Sequence, residues 1–335
     1  MPAVAQTDPM DASPFVSGLG TAPTSIAETH TAIILFVGDR AYKVKKPVDL
    51  GFCDFTARET RERVCHDEIR LNRRFTPDVY LGVADITGPD GLVADHAVVM
   101  RRLPPERKLA ACVARGDDVD DALRRIARYV AVAHEATPTD PAWHHVADVD
   151  ALRSRWQDGF DVFRSHAELL EGVDLDGIEA SVHRYLDGRR QLFGARIAAG
   201  RVRDGHGDLM AADVYLLDDG PRILDCLEFA EELRWGDVLA DVAFLAMDLH
   251  RLGHPELGER FLAQYRDLAG DAWPASLEHH HVAYRAQVRA KVALLRADQG
   301  DEGSLDEARH LLELVTSHLA AGDVSLTLVG GLPGT

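Results

Sequence analysis

Lysine is the scarcest charged residue in this 335-residue chain. There are five, Lys43, Lys45, Lys46, Lys108 and Lys291, and three of them fall within four positions. The remaining positive charge is arginine, and 37 basic residues against 55 acidic leave a net charge of −18. That balance excludes general binding to nucleic acid or to an anionic membrane surface, both of which need a basic face. Cysteine is also sparse. Cys53, Cys65, Cys112 and Cys226 have no CxxC spacing and are too few for a disulfide scaffold in a chain of this size, so a reduced, cytoplasmic protein is expected. No apolar run approaches the roughly 18 residues of a spanning helix. The N-terminus lacks the basic and apolar segments of a secretory signal.

What is present organises into two parts. Hydrophobic residues at 46% supply a sizeable core. Residues 1–24, rich in Pro, Ala, Ser, Thr, Gly and Asp and without Lys or Arg, predict a disordered leader. The β-branched run Thr31–Val37, then Gly38-Asp39, then Arg40–Lys45, predicts a β-hairpin. Phe55–Phe75 predicts a helix, followed by strands at Val79–Ile86, Leu92–Ala94 and Ala97–Met100. Beyond Pro105 the pattern turns helical: Leu123, Ile126 and Val130 form one apolar face, and further helices are expected near 149–170, 176–199, 237–250, 256–269, 277–298 and 303–321. One hairpin interrupts them, Val214–Leu217 and Arg222–Asp225 around Asp218-Asp-Gly-Pro221. The expected fold class is α+β, with a small antiparallel β lobe and a mostly helical lobe.

The most informative segment is His206-Gly-Asp-Leu-Met-Ala-Ala-Asp213 with Asp225 at the hairpin's exit. Phosphoryl transfer needs a carboxylate to accept the acceptor hydroxyl's proton, metal ions to neutralise the phosphate oxygens, and a lysine on the non-transferred phosphates. The kinase catalytic loop supplies these as His-x-Asp, a metal ligand five residues on, and an Asp after the following hairpin. Asp208, Asp213 and Asp225 have that spacing, and hard oxygen donors suit magnesium. These residues resemble the HGDL loop of the aminoglycoside phosphotransferase and choline-kinase-like superfamily. The resemblance implies a two-lobed protein-kinase-like fold, Asp208 and His206 as catalytic residues, and Asp213 and Asp225 as magnesium ligands. At 213 the family usually has Asn. Asp237 and Asp241 resemble its later Gly-Asp-x3-Asp stretch, where the acidic residues brace the catalytic loop.

On the nucleotide side, Lys43 and Lys45 share one face of a strand, and either could hold phosphates; Lys43 is favoured. Glu68 matches the family's helix Glu, with Glu59 and Glu62 as rivals. Met100 and Arg101 resemble the hinge whose backbone holds adenine. A Gly-rich phosphate loop is missing, and Thr29-His30-Thr31 stands in its place. The implied cofactors are ATP and Mg2+. The implied layout is a leader at 1–24, a nucleotide-binding lobe at 25–103, a helical lobe with catalytic loop and hairpin at 104–322, and a new segment from 323.

The match extends to Tyr42–Val48, Tyr80–Val83, Phe244–Asp248 and Tyr284–Lys291, which resemble a bacterial subgroup with a C-terminal P-loop ATPase or kinase domain. Gly331-Leu-Pro-Gly-Thr335 reads as the opening of G-x-x-x-x-G-K-[ST], so the expectation is a chain truncated inside that motif. Glu278-His-His-His281 reads as local surface ahead of a helix, and Arg285 and Arg289 as one helix face that either grips an anion or is solvated. The acidic balance suits a cationic acceptor such as an amino sugar or aminoglycoside. The leading reading is an ATP- and magnesium-dependent phosphotransferase acting on a small-molecule hydroxyl. The alternative is a pseudokinase-like regulatory domain for a fused or partner P-loop ATPase.

Overall fold

The computed structural model describes residues 25–324 apart from His30, Leu50, Phe52, Gln299 and Glu302. The expected leader and the P-loop-like tail lie outside the described residues. The chain divides into two compact units. Of the described residues, one contains those up to Pro105 together with Arg222–Ala230; the other contains Glu106–Pro221 and those from Glu231 onward.

In the first unit the elements are β1 (Ser25–Glu28), β2 (Ala32–Val37), β3 (Arg40–Lys45), α1 (Arg58–Asn72), β4 (Tyr80–Thr87) and β5 (Val93–Arg101). The five strands form one antiparallel sheet in the order β1-β2-β3-β5-β4. Val37 pairs with Arg40 across Gly38-Asp39, as the hairpin spacing required. Strand β1 was not anticipated: all four of its residues are exposed, so it lacks the inward-facing alternation by which strands are read. The two short strands expected at 92–94 and 97–100 are one strand, β5. Asp95 and His96 break its apolar pattern, but Asp95 pairs with Arg61 of α1 at 3.0 Å and His96 lies 3.0 Å from Asp85 of β4. A polar residue with a charged partner can sit inside a sheet.

In the second unit the chain runs α2 (Leu109–Ala114), α3 (Asp120–Ala136), α4 (Val149–Ser165), α5 (Leu175–Asp187), α6 (Arg190–Ala198), β6 (Val202–Asp204) and β7 (Val214–Leu217). The following strand, β8 (Gly220–Ile223), forms a two-stranded sheet with β7, and the change of unit falls within it. Then come α7 (Glu231–Arg234), β9 (Trp235–Asp237), α8 (Val238–Arg251), α9 (Pro255–Leu268), α10 (Ala275–Asp298) and α11 (Ser304–Ala321). The helix expected over 176–199 is two helices, broken at Gly188-Arg189, and the one expected over 149–170 stops at Ser165 before a 3₁₀ turn. Helix α8 is the core of this unit: every residue from Val238 to Leu249 is buried. Asp241 and Asp248 are seven residues apart on it, two helical turns, and therefore share a face. Among the described residues no helix is long and apolar enough to cross a membrane.

Candidate active-site residues

The first unit brings two lysines of β3 to three carboxylates. Lys43 and Lys45 project from one face of the strand and are 7% and 1% exposed. Glu68, wholly buried on the face of α1 that also carries Arg61, Cys65 and Asn72, lies between them. Its Oε1 accepts from Lys43 Nζ at 2.9 Å and its Oε2 is 2.6 Å from Lys45 Nζ. Each lysine has a second partner, Asp225 for Lys43 and Glu228 for Lys45. The two rival glutamates stand elsewhere: Glu59 is exposed beside Arg58, and Glu62 lies 3.5 Å from His96. The lysine whose carboxylate partner opens to solvent is Lys43, because the Asp225 side chain is 51% exposed and that of Glu228 only 7%.

The electrostatics follow from two cations facing three anions. Burial alone pulls the Lys43 ammonium down, but Asp225, Glu68 and Glu228 outweigh it and its pKa is raised. Burial likewise pulls Lys45 down, and Glu228 and Glu68 carry it up. Burial pushes the Glu68 carboxyl up, yet the two lysines hold it below its ordinary value. Glu228 moves the other way: burial and the repulsion of Glu68 and Asp225 exceed the pull of the lysines. The surplus negative charge of the network therefore falls on Glu228.

Asp225 is held in a left-handed conformation, φ 65°, and among the described residues no other non-glycine has positive φ. Its N–H donates to Tyr80 Oη at 3.1 Å. The flanking backbone is fixed on both sides: Cys226 N–H donates to Asn72 Oδ1 at 2.9 Å, and Ile223 exchanges hydrogen bonds with Thr76 Oγ1 at 2.7 and 2.9 Å. Strained backbone of this kind persists where its surroundings over-determine it.

The hinge assignment changes in detail. Met100 sits in β5 between its partners Ala41 and Tyr80, so its backbone belongs to the sheet. Arg101 N–H donates to Val79 O and Arg102 N–H to Asp39 O. Among the described residues, Leu103 is the first after the strand whose N–H meets no backbone carbonyl, and Pro104 and Pro105 have none to offer. The phosphate-loop position also differs. Thr29 Oγ1 accepts from Ala32 N–H at 3.0 Å, closing the turn between β1 and β2, so that hydroxyl is already engaged; His30 lies outside the described residues.

In the second unit the segment from Gly205 to Ala211 is held by α8. Strands β6 and β9 pair, Val202 with Asp237 and Asp204 with Trp235, and Gly205 N–H donates to Arg234 O at 3.1 Å. Asp241 then accepts from two consecutive backbone groups, His206 N–H and Gly207 N–H, each at 2.8 Å. Two turns along the helix, Asp248 accepts from Ala211 N–H at 2.8 Å. Two glycines permit this. Gly207 has φ +89°, and a Cβ on Gly205 would lie 2.7 Å from the Asp241 carboxyl. Asp237 has a different task, capping α8 through Leu239 N–H at 2.9 Å and pairing with Arg196.

His134 received no role from the sequence, yet its Nε2 lies 3.0 Å from Asp241 Oδ2 and its Nδ1 2.7 Å from Tyr265 Oη. Burial pushes the Asp241 carboxyl up, but His134 and the donated backbone bonds outweigh it and hold it well below the carboxylate range. The spacing that could have drawn attention to it is Ile126, Val130, His134: a histidine continuing the buried stripe of α3. His206 is fully buried, Asp213 is half-buried with its N–H on Met210 O, and the Asp208 side chain is 35% exposed. Arg289 Nη1 is 3.5 Å from Asp208 Oδ2. The histidines at 279–281 are corrected: they lie inside α10, and His280 and His281 are 2% and 1% exposed, with His280 stacked on Tyr185 at 4.6 Å.

No family model matches the chain. Uncharacterized proteins of Mycobacterium tuberculosis and Mycobacterium bovis are each 45% identical over 312 residues, 92% of this chain and 62% of the relative. The chain thus spans less than two thirds of the length of the curated relatives it matches. Among solved structures, an ethanolamine kinase of Plasmodium vivax matches with TM-score 0.56 at 10% identity, over 89% of this chain and 83% of that one. A choline/ethanolamine kinase family protein from Mesorhizobium loti matches with TM-score 0.51 at 16% identity, over 90% and 92%. A thermostable aminoglycoside phosphotransferase mutant in ternary complex with AMP-PNP and hygromycin B matches with TM-score 0.52 at 15% identity, over 94% and 100%. At these identities the likeness establishes the fold, which is α+β and protein-kinase-like, with an antiparallel-sheet lobe and a helical lobe.

Proposed function

We propose that this protein transfers the γ-phosphoryl group of a nucleoside triphosphate, with ATP as the expected donor, to a hydroxyl of a small molecule. The observation that carries the reading is the Lys43–Glu68–Asp225 arrangement: a strand lysine, desolvated, clamped by a helix glutamate and reaching the aspartate at the hairpin's exit. A surface ion pair needs no such triple convergence, whereas holding phosphates beside a metal ligand does. Nucleotide complexes among proteins of this fold add support.

In this reading Asp208 accepts the proton of the acceptor hydroxyl as its oxygen bonds to the γ-phosphorus. The bond to the leaving nucleoside diphosphate breaks, and Lys43 compensates the charge left on that product. Asp241 and Asp248 fix the loop so that Asp208 is presented without reorganisation. Among the described residues no three His, Cys, Asp or Glu side chains form a metal cage. Magnesium usually takes one or two carboxylates plus substrate phosphates, and Asp213 and Asp225 are donors of that chemistry; when bound, the ion supplies positive charge to the phosphate oxygens. Adenine would be met by the backbone at Leu103. Four free cysteines fit a reducing cytoplasm.

The regulatory reading keeps its two supports, the aspartate at 213 where the family usually has asparagine and the missing Gly-rich phosphate loop. A P-loop ATPase as fused or partner domain belongs to that reading. The test is ADP release in magnesium-ATP across sugars, sugar acids, amino sugars and amino alcohols. Turnover with any of them, falling by about 10³-fold or more in Asp208→Ala, supports the transferase. Nucleotide binding with no acceptor turned over, and no change on Asp208→Ala, rejects it in favour of regulation.

A further inference from the structure

The net charge of −18 pointed to a cationic acceptor, but the charge beside Asp208 has the opposite sign. Arg285 and Arg289 are one turn apart on α10 and so share a face. Arg289 approaches Asp208 at 3.5 Å. The Arg285 guanidinium lies 4.2 Å from the centroid of the Phe244 ring, and its Nε donates to Ala240 O at 2.8 Å. Both contacts come from α8, the helix whose Asp241 holds the backbone of His206 and Gly207.

Among the described residues Arg285 makes no ion pair, and its two terminal nitrogens donate to no protein acceptor. The three fully buried arginines do the reverse. Arg61 is paired with Asp95, Arg196 with Asp237 and Asp271, and Arg234 with Asp204. A guanidinium half withdrawn from water without a counter-ion is costly to keep. Burial accordingly pulls its pKa down, with Arg155 adding repulsion and Asp208 and Asp241 opposing it. Arg155 too has a backbone partner only, Glu232 O at 2.9 Å. Near Asp208, therefore, stands a guanidinium fixed through its Nε and its aromatic backing, with its two outer nitrogens unclaimed. Such a fork matches the two oxygens of a carboxylate or phosphate.

We infer that the acceptor of this phosphotransferase is itself an oxyanion, a hydroxy acid or a phosphorylated alcohol, whose anionic group is gripped by Arg285 with Arg289 beside Asp208. This rests on the proposed transfer reaction for the acceptor's role, but the anion site stands on its own geometry. The same fork chemistry would also suit the γ-phosphate of the nucleotide, and the experiment separates the two.

The full chain is titrated with glycerate, gluconate and inorganic phosphate, and with choline and glucosamine as cationic controls, each with and without magnesium AMP-PNP, by ligand-observed NMR. Expected is binding of the anions over the cations, persisting with AMP-PNP bound and weakened roughly tenfold or more in both Arg285→Gln and Arg289→Gln. Arg285→Lys recovers only part, because an ammonium lacks the fork. Circular dichroism establishes that each variant is folded, and Arg289→Gln carries the test if Arg285→Gln is not. AMP-PNP affinity stays within about twofold of the parent's, as two separate anion sites require. If AMP-PNP displaces the anions and itself loses affinity in the variants, the site belongs to the nucleotide and the inference falls. Preferred binding of choline or glucosamine, untouched by the substitutions, also overturns it. Anion binding without turnover of any acceptor sinks the transferase reading and leaves the anion site standing.

Discussion

The two units hold their candidate residues by different physics. In the first, side chains hold side chains: two buried lysines meet two buried carboxylates and the more open Asp225, and each position depends on the charge of the others. In the second, side chains hold backbone: Asp241 and Asp248 accept from His206, Gly207 and Ala211, and every loop residue contributes the same N–H whatever its side chain. The first arrangement can be re-balanced by one protonation or one bound cation, as the proposed phosphate site requires. The second cannot be re-balanced and serves as a rigid mount.

That contrast can be broken most severely at Asp241. Replacing it by Ala leaves two buried N–H groups and His134 without their acceptor, and should cost about 3–5 kcal/mol of stability, read as a lowered urea midpoint. Asp241→Asn, which keeps one acceptor oxygen, should recover part of it. Glu68→Gln comes next, at about 2–3 kcal/mol, since both lysines lose their shared carboxylate, and nucleotide binding by calorimetry should weaken alongside. An intact nucleotide affinity there would separate the network from the phosphates.

Acidification sharpens the comparison from another side. Burial, with repulsion from Arg285 and Arg196, pushes the His281 imidazole down to about 3. Its folded pKa lies below the ordinary 6.5 or so, so the unfolded chain takes up the proton first. The stability this histidine gives is full above about pH 6.5 and drains by about 1.4 kcal/mol per pH unit as pH falls toward 3. His281→Leu should flatten that acid limb by about this slope in midpoints measured from pH 7 to 5; an unchanged slope would remove His281 from the account. The smallest effect is expected at Glu228→Gln, under about 1 kcal/mol, because it removes the carboxylate carrying the surplus charge. A loss matching that of Glu68→Gln would overturn the description of Glu228 as the surplus.

Much was legible one residue at a time. The hairpin at Gly38-Asp39, the run of helices and the spacing Asp208, Asp213, Asp225 all depend on neighbours close in sequence. What escaped depends on distant partners. Strand β1 has no buried face to read. Asp95 and His96 looked like a strand break because Arg61 and Asp85 were not in view. His134 looked idle because Asp241 is 107 positions away, and three adjacent histidines looked like surface because nothing local says that α10 buries two of them.

By itself, then, the order of residues determined which chemistry is available: carboxylates at kinase-like intervals, a lysine on a strand, a glutamate on the following helix. Only the folded chain decided how those groups are occupied, which of two lysines has an open partner, which aspartate mounts the loop, and that Arg285 is half-buried with no carboxylate paired to it. The reason is that periodicity fixes the direction of a side chain relative to its own element, while pairing and desolvation are settled by whatever other element arrives opposite.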